Sequence, residues 1–422
     1  MNFIKSTEIA TGVAFNYIND NRFKSSRISA YFVLPLTKEN ASVNTLLSQI
    51  LCRSSQKFPD FKSLNTHLNL LYGANLSADT RKNGDNQVMS ISISGLDDKY
   101  TIGDEKVSSE LSMLICDLIF RPNIVDGKFN KLDFEQEKRQ LVDLIDSDFN
   151  EKRIYALNRT IEEMCKDETF GILSYGTKEN VINTKIDEIY KAWQHILKTA
   201  KIEIVMVGSS TPDEAIEIFK NAFKGIDREV QTATTKVIKE VEKVKYIEEK
   251  MDVTQSKLVM GFRSGISNID EADVPALKLM VSILGGTAHS KFFLNVREKY
   301  SLCYYCASRV DVEKGIIIVD SGVENENIEK AKAEILNQIE LLKSGELTDF
   351  EIDATKLSIV NSYTTTTDSV YGIEAWYSNQ LLSGKMKSPE EASELINKVT
   401  KEDVIRVANK MQLDTVYLLT SK

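Results

Sequence analysis

The amino-acid sequence predicts an α+β fold of two similar domains, each a mostly antiparallel sheet packed with helices. Three observations lead there. The chain has 422 residues, too many for one ordinary hydrophobic core. Strand-like and helix-like segments are grouped rather than strictly alternating, which favours helices layered on antiparallel sheets. Two segment pairs recur roughly two hundred residues apart: Gly127-Lys128-Phe129-Asn130-Lys131-Leu132-Asp133-Phe134-Glu135 resembles Gly345-Glu346-Leu347-Thr348-Asp349-Phe350-Glu351, and the run starting at Ile202 resembles the run starting at Thr415. That period is far too long for a solenoid and suits a duplicated domain.

Taken in order, residues 27–35 alternate and are rich in β-formers, so they read as a strand. Helical patterns follow over 42–52 and 61–71, the second ending at Tyr72-Gly73 as a C-cap. Strands are expected over 75–81 and 87–94, then helices over 104–119, 129–165 and 186–197. A strand over 202–208 and a helix over 212–223 close the first half. The second half repeats the order with a strand over 257–263, helices over 272–284 and 292–300, and an antiparallel strand pair over 302–310 and 315–321. Helices over 328–342, from 349 to about 364, and over 401–410 precede a last strand over 415–420. These readings divide the chain into residues 1–225, a charged linker region over 226–250, and residues 251–422. Within the linker region, residues 237–246 have the pattern of an edge strand.

The composition, 42% hydrophobic and 27% charged, is that of a globular protein. The formal net charge of −9 argues against nucleic-acid binding, which needs a basic stripe. The N-terminus lacks the basic start and apolar core of a secretory signal, and no apolar run reaches the roughly 20 residues of a membrane helix. The expected location is therefore cytoplasmic. Five cysteines without framework spacing suit a reducing compartment. Cys303-Tyr304-Tyr305-Cys306 has the C-x-x-C spacing of a redox pair or half a zinc site. It falls in an expected strand, however, where residues three apart point to opposite faces, and no second C-x-x-C completes a zinc site.

Several chemistries lack their residues. There are three histidines, His67, His195 and His289, and none has another within a helical turn. A zinc peptidase site needs three ligands, usually with two histidines on one helical face and a glutamate beside them as general base. There is no G-x-S-x-G elbow for a serine nucleophile, no phosphate-binding P-loop and no dinucleotide fingerprint.

One segment carries a specific likeness. Leu294-Asn295-Val296-Arg297-Glu298-Lys299-Tyr300-Ser301-Leu302-Cys303-Tyr304-Tyr305 is similar to the L-R-E-K-x-G-L-A-Y motif in the C-terminal domain of the M16 peptidases, the inverse-zinc family of insulinase, pitrilysin and mitochondrial processing peptidase. The order of both halves resembles that family along essentially the whole chain. The resemblance implies the family's half-shell fold and gives Arg297 and Tyr304 the roles of the motif's Arg and Tyr, which hold the substrate backbone and the reacting carbonyl. A cation and a phenol can stabilise the oxyanion formed when water attacks a peptide bond. Taken singly, Arg297 reads as half of a surface ion pair and Tyr304 as a sheet residue; their spacing inside a matching helix, turn and strand favours the catalytic role.

The same resemblance exposes a loss. Where the family has H-x-x-E-H, this chain has Thr45-Leu46-Leu47-Ser48-Gln49, so Thr45 and Gln49 stand for the two histidines and Ser48 for the glutamate. In the family's E-x-x-x-V-x-x-E pattern Glu137 matches the first acid, but Leu144 replaces the metal-binding one. Thr and Gln are poor zinc ligands and Ser cannot act as the general base. The resemblance therefore implies a chain that holds no metal and acts as the zinc-free subunit of a bacterial two-subunit peptidase. Its partner would bring zinc and the base, this chain would bring Arg297 and Tyr304, and an edge strand would pair with extended peptide. The alternative is a catalytically inactive protein of the same fold that binds peptides or organises a complex.

Overall fold

The computed structural model describes residues 4–383 and 386–422. The first half runs β1 (Ile4–Ala10), β2 (Val13–Asn19), β3 (Ser25–Pro35), α1 (Ala41–Leu51), α2 (Phe61–Leu70), β4 (Asn75–Asn83), β5 (Asn86–Leu96) and α3 (Val107–Phe120). A small ladder of β6 (Ile124–Val125) and β7 (Lys128–Phe129) leads to α4 (Lys131–Asn150), α5 (Lys152–Met164), α6 (Lys178–Asn183), α7 (Ile186–Thr199), β8 (Lys201–Gly208) and α8 (Asp213–Ala222). The second half runs β9 (Lys245–Met251), β10 (Ser256–Arg263), α9 (Val274–Gly285), a π-helical turn (Phe292–Lys299), β11 (Cys303–Asp311), β12 (Ile316–Val323), α10 (Ile328–Lys343), α11 (Asp349–Thr366), α12 (Val370–Ser383), α13 (Pro389–Lys398), α14 (Lys401–Ala408) and β13 (Gln412–Ser421). The fold is α+β with mainly antiparallel sheets, as expected.

The chain forms two compact units that are not simple halves. The first comprises Met1–Ile145, Ile172–Thr234 and Thr366–Met386; the second comprises Asp146–Gly171, Thr235–Thr365 and Lys387–Lys422. Each unit thus includes one helix from the far half of the sequence, α12 in the first and α5 in the second.

In the first unit the sheet order is β1-β2-β8-β3-β5-β4, with β2 and β8 the parallel pair. Inward residues of β3 (Ile28, Ala30, Phe32 and Leu34) share a core with α1, α3 and α7. The alternate residues Tyr31 and Val33 are buried too, against Val370, Ile373, Tyr377 and Leu381 of α12. A strand covered on both faces reads as a near-continuous apolar run, which explains Ala30-Tyr31-Phe32-Val33-Leu34. Arg27 at the start of β3 pairs with the buried Glu374 of α12 and fixes that helix.

The second unit repeats the plan with sheet order β11-β12-β10-β13-β9, β13 and β9 being parallel. Leu258, Met260 and Phe262 of β10 meet α9, α10 and α14, while Val259 joins Ala156 and Met164 of α5 on the other face. A Cβ at Gly261 would lie 2.6 Å from the Met164 sulfur, so a larger residue there would have to shift that side chain. Beside it Arg263, 3% exposed, pairs with Glu168 at 2.5 Å and Asp414 at 2.6 Å, and the fully buried Lys314 reaches Glu168 at 2.9 Å.

Two boundary expectations are corrected. The single helix expected over 129–165 is two, because the Glu151 side chain accepts from Arg153 N–H and starts α5 afresh. The edge strand expected over 237–246 begins only at Lys245 and pairs in parallel with β13. The strands β1 and β2 and the helices α12 and α13 lie outside the segments expected from the sequence.

Candidate functional site

Thr45, Ser48 and Gln49 share one face of α1, as their spacing of three and four residues requires. Thr45 is 4% exposed and Ser48 fully buried. The Thr45 hydroxyl donates to the Ala41 carbonyl at 2.9 Å and lies 3.3 Å from the Ser174 carbonyl. Ser48 donates to the Thr45 carbonyl at 2.8 Å and sits 3.4 Å from the Thr80 hydroxyl on β4. The Gln87 amide donates to the Ala41 and Ser174 carbonyls at 2.9 and 2.6 Å and accepts from Asn44 at 2.8 Å. Ser42 donates to the Tyr175 carbonyl at 3.0 Å, and Gly176, at φ +73°, leaves no room for a Cβ against Ser42. The segment around 174–176 is therefore stitched onto the α1 face that carries Thr45. The sequence comparison of motifs missed this cover; the only local signal is the turn-like Tyr175-Gly176 pair.

Leu144 lies on α4 and is half exposed, at 49%. Glu137, on the same helix, is buried and engaged by Arg53, just beyond α1, at 3.3 Å; Asp133 is 3.7 Å from the same guanidinium. Burial pushes the Glu137 carboxyl above its usual range, Arg53 opposes this, and Asp133 adds to the rise. Burial likewise drives the neighbouring Cys52 thiol up to about 12.

Arg297 and Tyr304 belong to the second unit, where the chain departs from regular geometry twice within a few residues. The segment carrying Arg297 is wound as a π-helix, closed by the Tyr300 N–H donating to the Asn295 carbonyl at 3.1 Å. Such widened turns are rare and concentrate at functional sites. Ser301 then reverses the chain at φ +52°, a left-handed conformation that favours glycine, the residue of the family motif at this position. Leu302 N–H donates back to the Val296 carbonyl at 3.0 Å. The strand β11 begins with a bulge: Cys303 pairs with Val323 and Tyr305 with Gly322, so Tyr304 is the extra residue. It is pushed outward, 66% exposed, and its hydroxyl makes no hydrogen bond among the described residues. Arg297 has 42% of its side chain exposed, packs over the Phe293 ring at 4.6 Å and touches Glu298 at 3.5 Å. The motif thus offers a guanidinium and a phenol to solvent on a turn with a defined backbone.

The bulge overturns one expectation. Cys303 and Cys306 do not point to opposite faces. The extra residue restores them to one face, where both are buried, at 8% and 7% exposure, in the same core.

Comparison with solved structures first fixes the fold. The fold matches a crystal structure of a conserved protein from Enterococcus faecalis V583, with TM-score 0.92, 27% identity, and 100% of this chain and 99% of that chain covered. It also matches the crystal structure of a peptidase M16 inactive domain from Pseudomonas fluorescens, with TM-score 0.78, 16% identity, and 99% and 98% covered. Residues 184–359 match the family model described as Peptidase M16 inactive domain. A Bacillus subtilis (strain 168) protein named "Probable inactive metalloprotease YmfF" is 30% identical over 97% of this chain and 96% of its own length. The chain belongs to the M16 peptidase family.

The family's zinc does not fit the residues present. Of the positions that the motif resemblance sets against the family's ligands, Thr45 offers a hydroxyl already bonded to backbone and Leu144 only an apolar side chain. Among the described residues, no three or more His, Cys, Asp or Glu side chains gather as a metal site needs. Nor is any helix among them long and apolar enough to cross a membrane.

Proposed function

We propose that this chain is the metal-free subunit of a two-chain, zinc-dependent peptidase, and that it supplies Arg297 and Tyr304 to a reaction whose zinc and general base come from a zinc-bearing M16 partner. In this reading residues 1–225 are the half with the degenerate zinc positions, 251–422 the half with the Arg–Tyr motif, and 226–250 the connection. The observation that carries the reading is the exposure of both Arg297 and Tyr304 on a π-turn and bulge, while Thr45 and Ser48 are buried and spent on backbone. A structural pair would be buried; these two are held outward.

The mechanism follows from charge. Attack of water on a peptide carbonyl places negative charge on its oxygen, and a guanidinium with a phenolic O–H can both donate to that oxygen. Substrate alignment falls to edge strands. β4 is an edge of its sheet and lies against the α1 face that carries Ser48; β11, which carries Tyr304, is an edge of the other sheet. An extended peptide can add to either by backbone pairing. The expected setting is cytoplasmic.

The test is peptide hydrolysis by the chain mixed with its zinc-bearing partner. Arg297→Ala and Tyr304→Phe are each expected to lower kcat by about 10²–10³-fold, the effect of removing one oxyanion donor. Full activity in both variants refutes the assigned role. The saturation of the Thr45 and Ser48 hydroxyls also suits a second reading, an inactive peptide-binding protein. Assembly with the partner without cleavage of any peptide would favour it.

A further inference from the structure

The bulge that turns Tyr304 outward also creates a dithiol that the motif itself does not require. We propose that Cys303 and Cys306 form a redox-active pair that closes to an intrastrand disulfide by exchange with a low-molecular-weight disulfide, and that closure repositions Tyr304.

The geometry carries the argument. In a regular strand, residues three apart are separated by about 10 Å and face opposite ways, so they cannot be bridged. Here Cys303 pairs with Val323, Tyr305 with Gly322 and Cys306 with Ser321, so the bulge inserts one residue between the two cysteines. Bulging bends the strand and shortens the path between its flanks. Both thiols enter one buried cluster and are unpaired with any other cysteine. Cys306 is the largest influence on the ionisation of Cys303 and lowers it, burial opposes that, and Arg297 lowers it further. Burial holds the Cys306 thiol well above its ordinary value. Cys303 is therefore the attacking thiol and Cys306 the resolving one. Access is feasible because β11 is an edge strand, the kind of element that opens locally at low free energy.

The exchange balances as follows. Cys303 gives up its proton and attacks one sulfur of the small disulfide, forming a mixed disulfide and expelling a thiolate that takes up that proton. Cys306 then loses its proton and attacks the Cys303 sulfur, and the second small thiol leaves with that proton. The protein loses two electrons and two protons; the small disulfide is reduced to two thiols. A protein disulfide demands a Cα separation of about 4.4–6.8 Å, so closure tightens the bulge. Tyr304 lies between the two sulfurs in sequence and must move with it. Tyr304 is exposed and its hydroxyl makes no hydrogen bond among the described residues, so no side-chain hydrogen bond opposes that movement.

This inference stands on the strand geometry and does not depend on the presence of a zinc-bearing partner. The test uses the full-length chain equilibrated with reduced and oxidised glutathione at increasing oxidation, quenched by alkylation and mapped by peptide mass spectrometry, with hydrogen exchange measured over β11. The expected result is a Cys303–Cys306 linkage, with Cys116 and Cys165 still alkylated after denaturation. Exchange from Ser301 through Asp311 should change several-fold in the oxidised wild type. Cys306→Ser should stop at a glutathione adduct on Cys303 and show no such change. Two free thiols in excess oxidised glutathione, or a stable adduct in the wild type, would overturn the linkage. A linkage with unchanged exchange across the strand would overturn the coupling to Tyr304.

Discussion

Restoring the family's metal residues is expected to fail, and the structure says by how much. Consider Thr45→His, Ser48→Glu, Gln49→His and Leu144→Glu installed together. Thr45 is 4% exposed and packed beneath the Ser174 carbonyl, so an imidazole must displace the segment around 174–176. Overpacking of this kind costs about 1–3 kcal/mol. The lost Thr45 hydrogen bond adds about 0.5–1.5 kcal/mol, so Thr45→His alone should cost about 1.5–4.5 kcal/mol. Ser48 is fully buried, and a carboxylate there costs several kcal/mol more unless it protonates or finds a cation. Against a total stability of about 5–15 kcal/mol, the quadruple variant should be marginally folded or unfolded. The assay is urea denaturation of the single and quadruple variants, with zinc content measured after gel filtration. A quadruple variant as stable as the parent and holding near one equivalent of zinc would refute the reasoning. It would mean that the cover over α1 yields readily and that only the ligand identities were lost.

The buried charges of the second unit should be equally consequential. Glu168→Gln removes the carboxylate that pairs with Lys314 at 2.9 Å and with Arg263 at 2.5 Å, and should cost about 3–5 kcal/mol, read from the shift in denaturation midpoint. Burial alone would raise the Glu168 carboxyl, but Arg263 and Lys314 outweigh it and hold the group below its usual value. Its stabilisation is therefore present above the ordinary carboxylate pKa and is lost as pH falls through the lowered value, so the difference between wild type and variant should shrink in acid; a constant difference down to strongly acid pH contradicts this. Ser301→Gly should stabilise the chain by up to about 1 kcal/mol by relieving the positive φ, less the added entropy of the unfolded glycine; a destabilised variant would deny the strain. Gly261→Ala should destabilise by about 1–3 kcal/mol because its methyl meets Met164, and in a double-mutant cycle the same change should cost less in a Met164→Ala background than in the wild type.

Much of this molecule is legible without coordinates, and the legible parts share a cause. Strands such as 27–35 and helices such as 42–52 declare themselves because their hydrophobic period is local, a property of neighbouring residues. The departure from the family's metal motifs is equally a matter of identity: the resemblance sets Thr45, Gln49 and Leu144 against ligands and Ser48 against the base, and these are poor zinc ligands and no base. Arg297 and Tyr304 are legible through their spacing in a motif.

Contacts between distant segments were decided only by the tertiary structure. Nothing in Val370-Tyr371-Gly372-Ile373 says that α12 covers the sheet containing β3, or that α5 covers β10, because a helix face does not encode which sheet it meets. The cover over α1 arises from backbone carbonyls at 174 and 175, which carry no sequence identity at all. The sharpest case is β11. Period-two alternation assigns Cys303 and Cys306 to opposite faces, and one unpaired residue reverses that assignment. The sequence by itself determined which chemical groups this protein has and lacks. The tertiary structure decided which of them are buried, which face solvent and which two thiols share a face, because those outcomes depend on register and long-range packing rather than on local period.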